Sequence, residues 1–147
     1  MSLKKTKNTE KKVAASTTTD AFTLAIIEAI QDVKGLDIIE IDLRNVHDAS
    51  TDCFVICTGN SSTHIHGIAD RIDKSIREQY GFFPNHIEGR QSKSWVLLDY
   101  FSVVVHIFSA EQRQVYALEQ LWNDAPQKRH ESETAEIQEK YWDDDDF

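Results

Sequence analysis

The chain has no run of apolar residues near the ~18 that a membrane-crossing helix needs, so no span is expected. Cysteine is scarce: Cys53 and Cys57 are the 2 in 147 residues. Four residues apart on a strand, their Cα atoms would stand ~13 Å apart, beyond disulfide reach. Two buried free thiols in a cytoplasmic protein are therefore expected. Positive charge is also short. The chain holds 16 Lys and Arg against 25 Asp and Glu, a formal net charge of −9. That balance suits a basic protein partner better than nucleic-acid phosphates. The first residues lack the apolar stretch of a secretory signal. With no Arg among them and Glu10 present, they also fit a transit peptide poorly. What remains is ordinary for one soluble domain, with 40% hydrophobic and 28% charged residues. Such a chain buries a real core without disulfides or metal.

The charge is unevenly spread. Residues 1–19 carry five lysines and one acid, and are polar without apolar period, so a disordered basic tail is expected. Residues 126–147 begin at Pro126 and end in Asp143, Asp144, Asp145, Asp146 and Phe147, which reads as a solvated acidic tail. A short helix over residues 131–141 is the one element expected there. Residues 20–125 form the single domain.

That domain is strongly patterned. Phe22, Ile26, Ile27, Ile30 and Val33 recur at helical spacing, with Asp20 as N-cap and Gly35 as terminator. Residues 36–43 alternate: Ile39, Ile41 and Leu43 on a buried face, Glu40 and Asp42 on a wet one. Residues 53–57 (CFVIC) are apolar on both faces and read as a central strand. A Gly59–Thr63 turn then leads into a helix striped by Ile65, Ile68, Ala69, Ile72 and Ile76 and closed by Gly81. A short strand over 85–88 precedes strands 95–99 and 103–108, close enough to form an antiparallel hairpin. Ser109 caps a last helix carrying Val115, Leu118, Leu121 and Trp122. The fold class is α/β, with a mixed sheet flanked by helices.

The catalytic constellations are poor. The turn Thr58-Gly59-Asn60-Ser61-Ser62 sits between a strand and a helix N-terminus, where backbone N–H groups attract phosphate. It lacks the glycine spacing and Lys of a P-loop, and the carboxylate cluster that nucleotidyltransferases need for metal. Helix capping is the plain reading; a nucleotide-binding enzyme using Gly59–Ser62 is the alternative. His64 and His66 diverge on a helix, and neither cysteine has a third ligand at metal spacing. His106 lies in an apolar strand, where a half-buried histidine is commoner than a ligand. No catalytic residue, cofactor or metal is expected. The hairpin and last helix differ in kind. Trp95 and Leu97 should face one way, Val96 and Leu98 the other, with Arg113, Tyr116 and Trp122 following, and Trp, Tyr and Arg are common interface anchors. From the pattern alone these residues are either core or an exposed contact face.

Two blocks make the sequence specific. In residues 34–70 they are Lys34-Gly35, Asp37-Ile38-Ile39, Asp52 before Phe-Val-Ile, Thr58-Gly59-x-Ser61-Ser62 and Ile68-Ala69-Asp70. In residues 88–125 they are Glu88-Gly89, Trp95-Val96-Leu97-Leu98-Asp99-Tyr100, Val103-Val104-Val105-His106, Arg113, Tyr116-x-Leu118-Glu119 and Leu121-Trp122. Across about residues 20–125 the chain resembles the Iojap-like ribosomal silencing factor family (RsfS). The resemblance implies a nucleotidyltransferase-like topology without enzyme activity. It implies binding to the large ribosomal subunit through ribosomal protein uL-fourteen, on the surface that meets the small subunit. Subunits then cannot join and translation is repressed; organellar relatives act in large-subunit assembly. The contact residues it implies are Trp95, Leu98, Asp99, Tyr100, His106, Phe108, Arg113, Tyr116 and Glu119. It is also compatible with a two-fold homodimer through the sheet. One departure stands out: the family's hairpin turn usually has Gly where Phe101 stands here. A positive φ would be strained at Phe101, so a different turn is expected.

Overall fold

The structure, a computed structural model, describes residues 19–132. Helix α1 (Ala21–Asp32) starts where the Asp20 carboxylate accepts the Thr23 amide at 3.0 Å. Its end corrects the expectation for Gly35. Lys34 takes the left-handed φ of +63. The Lys34 and Gly35 amides donate to the Gln31 and Ile30 carbonyls at 3.0 and 2.9 Å, the paired bonds of a Schellman end. Gly35 is a glycine because a Cβ there would run into the Ile30 side chain.

Strands β1 (Leu36–Asp42) and β2 (Cys53–Thr58) follow, then helix α2 (Ser62–Tyr80). Next come β3 (His86–Glu88), β4 (Trp95–Asp99) and β5 (Val103–Phe108). Two short helices, α3 (Ala110–Tyr116) and α4 (Leu118–Leu121), lead to β6 (Gln127–His130). The six strands lie in the order β3-β4-β5-β2-β1-β6. Among the described strands only β2 and β5 pair in parallel; the other neighbours are antiparallel, so the sheet is mixed as expected.

Helices α1 and α2 cover one face. Their isoleucine stripes, Ile26, Ile27 and Ile30 with Ile65, Ile68, Ile72 and Ile76, are fully buried against Val55, Val96, Leu98, Val105 and Ile107. Cys53 and Cys57 lie in this layer as free, buried thiols. Burial pushes both above the ordinary thiol range, so they stay protonated and inert.

Three expectations change. First, β1 has no wet face. Asp42 is buried and held by Arg44 at 2.8 Å, and Glu40 accepts from Thr19 at 2.6 Å and meets the His130 ring at 3.0 Å. Alternation located the polar residues correctly, but a neighbour two positions on covers Asp42, and partners distant in sequence cover Glu40. Second, the segment assigned to the acidic tail begins with a strand: β6 pairs with β1, Glu40 opposite Lys128. A four-residue polar strand carries no apolar period, so only the free edge of β1 reveals it. The remaining tail expectations, for residues 1–18 and for a helix running past residue 132, lie outside the described residues. Third, the last helix is broken. Ala117 takes a φ of +46 and separates α3 from α4.

The hairpin turn also departs from expectation. Phe101 adopts a φ of +69 despite its side chain, a conformation costing about 1–2 kcal/mol outside glycine. Its amide donates to the Asp99 carboxylate at 2.8 Å, and its carbonyl accepts from the Thr51 hydroxyl at 2.7 Å. These bonds over-determine the turn and hold the strain.

Candidate functional site

The pleat of β4 and β5 sends alternate side chains to opposite faces. Val96, Leu98 and Tyr100 point into the helix layer and are buried. Trp95, Leu97 and Asp99 point the other way, beside Val104, His106 and Phe108 of β5 and Phe54 and Ile56 of β2. On this second face, Ile39, Ile41, Leu43, Ile56 and Phe108 form a smaller core under Leu118, Trp122 and Ala125. The α3–α4 segment thus roofs the β1–β2 side. Towards β3, Trp95 lies against Tyr116 of α3, while Leu97, Asp99, Val104 and His106 remain half-buried with no helix of the described residues packed on them.

A continuous line of rings crosses this face. Trp95 stacks on Tyr116 at 6.3 Å, Tyr116 on Phe108 at 5.4 Å, and Phe108 on His106 at 5.8 Å. His106 then meets Phe54 edge-on at 4.9 Å, and Phe54 meets Trp122 at 6.0 Å. Both ring nitrogens of His106 and the Trp95 indole nitrogen are inaccessible and have no hydrogen-bond partner among the described residues. Burial pushes His106 down to about 4, so its ring is neutral near pH 7 and serves as an aromatic surface.

Arg113 holds the roof in place. It is buried, and its guanidinium donates to the Asp37 carbonyl, to the Thr58 hydroxyl at 2.9 Å and to Glu119 at 3.3 Å. Asp37 is offered to it by an irregularity in β1, where the residue turns to a φ of +49 and the pairing register shifts. Helix α3 closes with the Ala117 amide on the Arg113 carbonyl at 2.9 Å, and past the break at Ala117 Glu119 lies within reach of Arg113.

The nine residues implied by resemblance therefore separate. Trp95, Asp99, His106, Phe108, Arg113, Tyr116 and Glu119 gather on or under the second face. Leu98 and Tyr100 lie in the helix-side core at 1% and 7% exposure, so neither is offered to a partner there. Phe108 and Arg113 are buried supports beneath the face. Phe54, Leu97, Val104 and Trp122 complete the surface; the two-residue period from Trp95 and His106 carried the signal for Leu97 and Val104.

The Gly59–Ser62 turn is occupied internally. The Asn60 amide donates to His64 Nδ1 at 3.0 Å, and the His64 amide to Ser61 Oγ at 3.0 Å. A Cβ on Gly59 would stand 2.7 Å from Ile65 Cγ1, so the glycine lets the turn close on its helix. Among the described residues, no group of three or more His, Cys, Asp and Glu side chains is placed to hold a metal ion. No helix there is long and apolar enough to cross a membrane.

This mixed sheet, helix-covered on one face and aromatic on the other, defines a class of protein that the comparisons identify. The family model "Ribosomal silencing factor during starvation" matches residues 16–146. The ribosomal silencing factor RsfS of Halalkalibacterium halodurans is 36% identical over 100 residues, covering 68% of this chain and 84% of its own length. A crystal structure from Chromobacterium violaceum superposes with a TM-score of 0.65 at 32% identity, covering 69% of this chain and 83% of that one. The mouse protein named mitochondrial assembly of ribosomal large subunit protein 1 is 34% identical over 74 residues, covering 49% of this chain and 32% of its own length. The chain belongs to the ribosomal silencing factor family.

Proposed function

We propose that this protein binds the large ribosomal subunit through ribosomal protein uL-fourteen, blocks subunit joining sterically, and so represses translation in the cytoplasm. The observation carrying this reading is the aromatic face: a family member presents half-buried Leu97, Val104 and His106, flanked by Trp95 under Tyr116, on a part of the sheet that no helix of the described residues covers. Glu88 and Asp99 border that face. An apolar centre with acidic margins favours a basic protein and is repelled by the surrounding rRNA phosphate. A bound body needs no catalysis to keep two subunits apart, so the protein is read as a non-enzyme without cofactor. The mouse relative's name supports a further part in large-subunit assembly.

The test is sedimentation of the protein with isolated large subunits, small subunits and joined ribosomes. Selective association with large subunits, with joined ribosomes lost, is the expected outcome. Trp95→Ala is expected to weaken that association at least about ten-fold while the circular dichroism spectrum persists. Unfolding of the variant would place Trp95 among the core residues instead. A folded protein that binds none of the particles would defeat the proposal.

A further inference from the structure

A roofing helix normally hides its apolar side chains, yet the α3–α4 segment carries them on its outside as well. Leu118 and Trp122 pack down onto the sheet, while Val115, Tyr116 and Leu121 are 75%, 53% and 67% exposed. One straight helix would turn Val115, Leu118 and Trp122 to a single side. The break at Ala117 spoils that alignment. Tyr116 joins the two surfaces: it stacks on Trp95 and Phe108 beneath and remains more than half open. Glu111, Glu119 and Asp124 lie on the same stretch, and its one arginine is buried.

We infer that the outer side of α3–α4 extends the docking surface, with Val115 and Leu121 as contact residues for a basic protein that also covers the sheet face. The inference rests on the reading of the aromatic face as a docking site. Two observations favour this occupant. The ridge is continuous with that face through Tyr116, whose half-buried residues alone offer little free area beside the ~800 Å² per partner of a standard interface. The charges it carries itself on its outer side, Glu111, Glu119 and Asp124, are acidic, with Arg129 of β6 bordering it and paired to Asp37, a balance that opposes both nucleic acid and a second copy of a chain with net charge −9.

The probe is the isolated large ribosomal subunit, titrated with wild-type protein and with Val115→Asp and Leu121→Asp. Each substitution is expected to weaken co-sedimentation at least about ten-fold, the size of an interface anchor, with the thermal midpoint retained. Leu24→Asp, on the opposite helix layer, is expected to leave it unchanged. Should an aspartate variant unfold, Val115→Ser and Glu111→Lys carry the test, and Glu111→Lys is expected to weaken binding most at low salt. If Trp95→Ala abolishes binding while the α3–α4 variants bind normally, this inference fails and the proposed function stands. If the wild-type protein binds no large subunits, the proposed function fails and takes the inference with it. A wild-type dimer that Val115→Asp dissociates, with subunit binding unaffected, would assign the ridge to a second copy and overturn the inference.

Discussion

Arg113→Met tests whether the second face is assembled by a buried charge rather than by a continuous amphipathic helix. Methionine keeps much of the side-chain stem but none of the donors. The Thr58 hydroxyl would then lose its guanidinium donor in the interior, while the part-buried Asp37 carbonyl loses one that water replaces in part. A buried polar group without its partner costs about 1–3 kcal/mol. The Glu119 side chain is 29% exposed and recovers water, so its loss adds little. The expected destabilisation is roughly 1–3 kcal/mol, a large share of the 5–15 kcal/mol typical of a domain. In urea the midpoint should fall by about 1–2 M with the slope unchanged. A double-mutant cycle with Thr58→Val should return a coupling above about 0.5 kcal/mol. A loss below about 0.5 kcal/mol with no coupling would refute the argument and make Arg113 dispensable to the roof.

Two further predictions concern the same region. The His106 ring is held near 4 in the folded protein against 6.5 for an ordinary histidine, because burial disfavours its charged form. The unfolded chain therefore binds the extra proton between these values. The stability linked to this ring is complete above pH 6.5 and is lost as pH falls towards 4, by roughly 3 kcal/mol. In urea melts at pH 7, 5.5 and 4 the wild type should lose about that much stability relative to His106→Leu as pH falls, and an unchanged difference would show the ring to be solvated. Gly59→Ala is expected to lower stability by about 1–3 kcal/mol, since its methyl group would crowd Ile65. Binding to large subunits should survive in calorimetric titration at temperatures where the variant is folded; an unchanged melting temperature would remove the packing explanation of this turn.

The α/β class, the two long helices and the hairpin were legible because each has a local cause. Isoleucine at helical spacing marks α1 and α2, Asp20, Ser61 and Ser109 cap helices, and Gly81 ends one with a left-handed φ of +68. The assignment of Trp95 and Leu97 to one face and Val96 and Leu98 to the other follows from the pleat alone. The candidate site was legible only in part. Motif matching placed Leu98 and Tyr100 beside Trp95 and Asp99 because they adjoin in the chain, whereas the two-residue period of β4 sends them to opposite faces.

Local sequence thus determined where helices and strands form and which side of each is apolar, because capping, periodicity and turn strain act within a few residues. Tertiary structure alone decided the parallel pairing of β2 with β5, the return of β6 to the edge of β1 and the break at Ala117. It also decided which apolar residues remain outside, Val115 and Leu121 among them. The two strand pairings join segments dozens of residues apart. Arg113 reaches Asp37 across 76 positions and Glu40 meets His130 across 90, separations at which no local pattern identifies the partner.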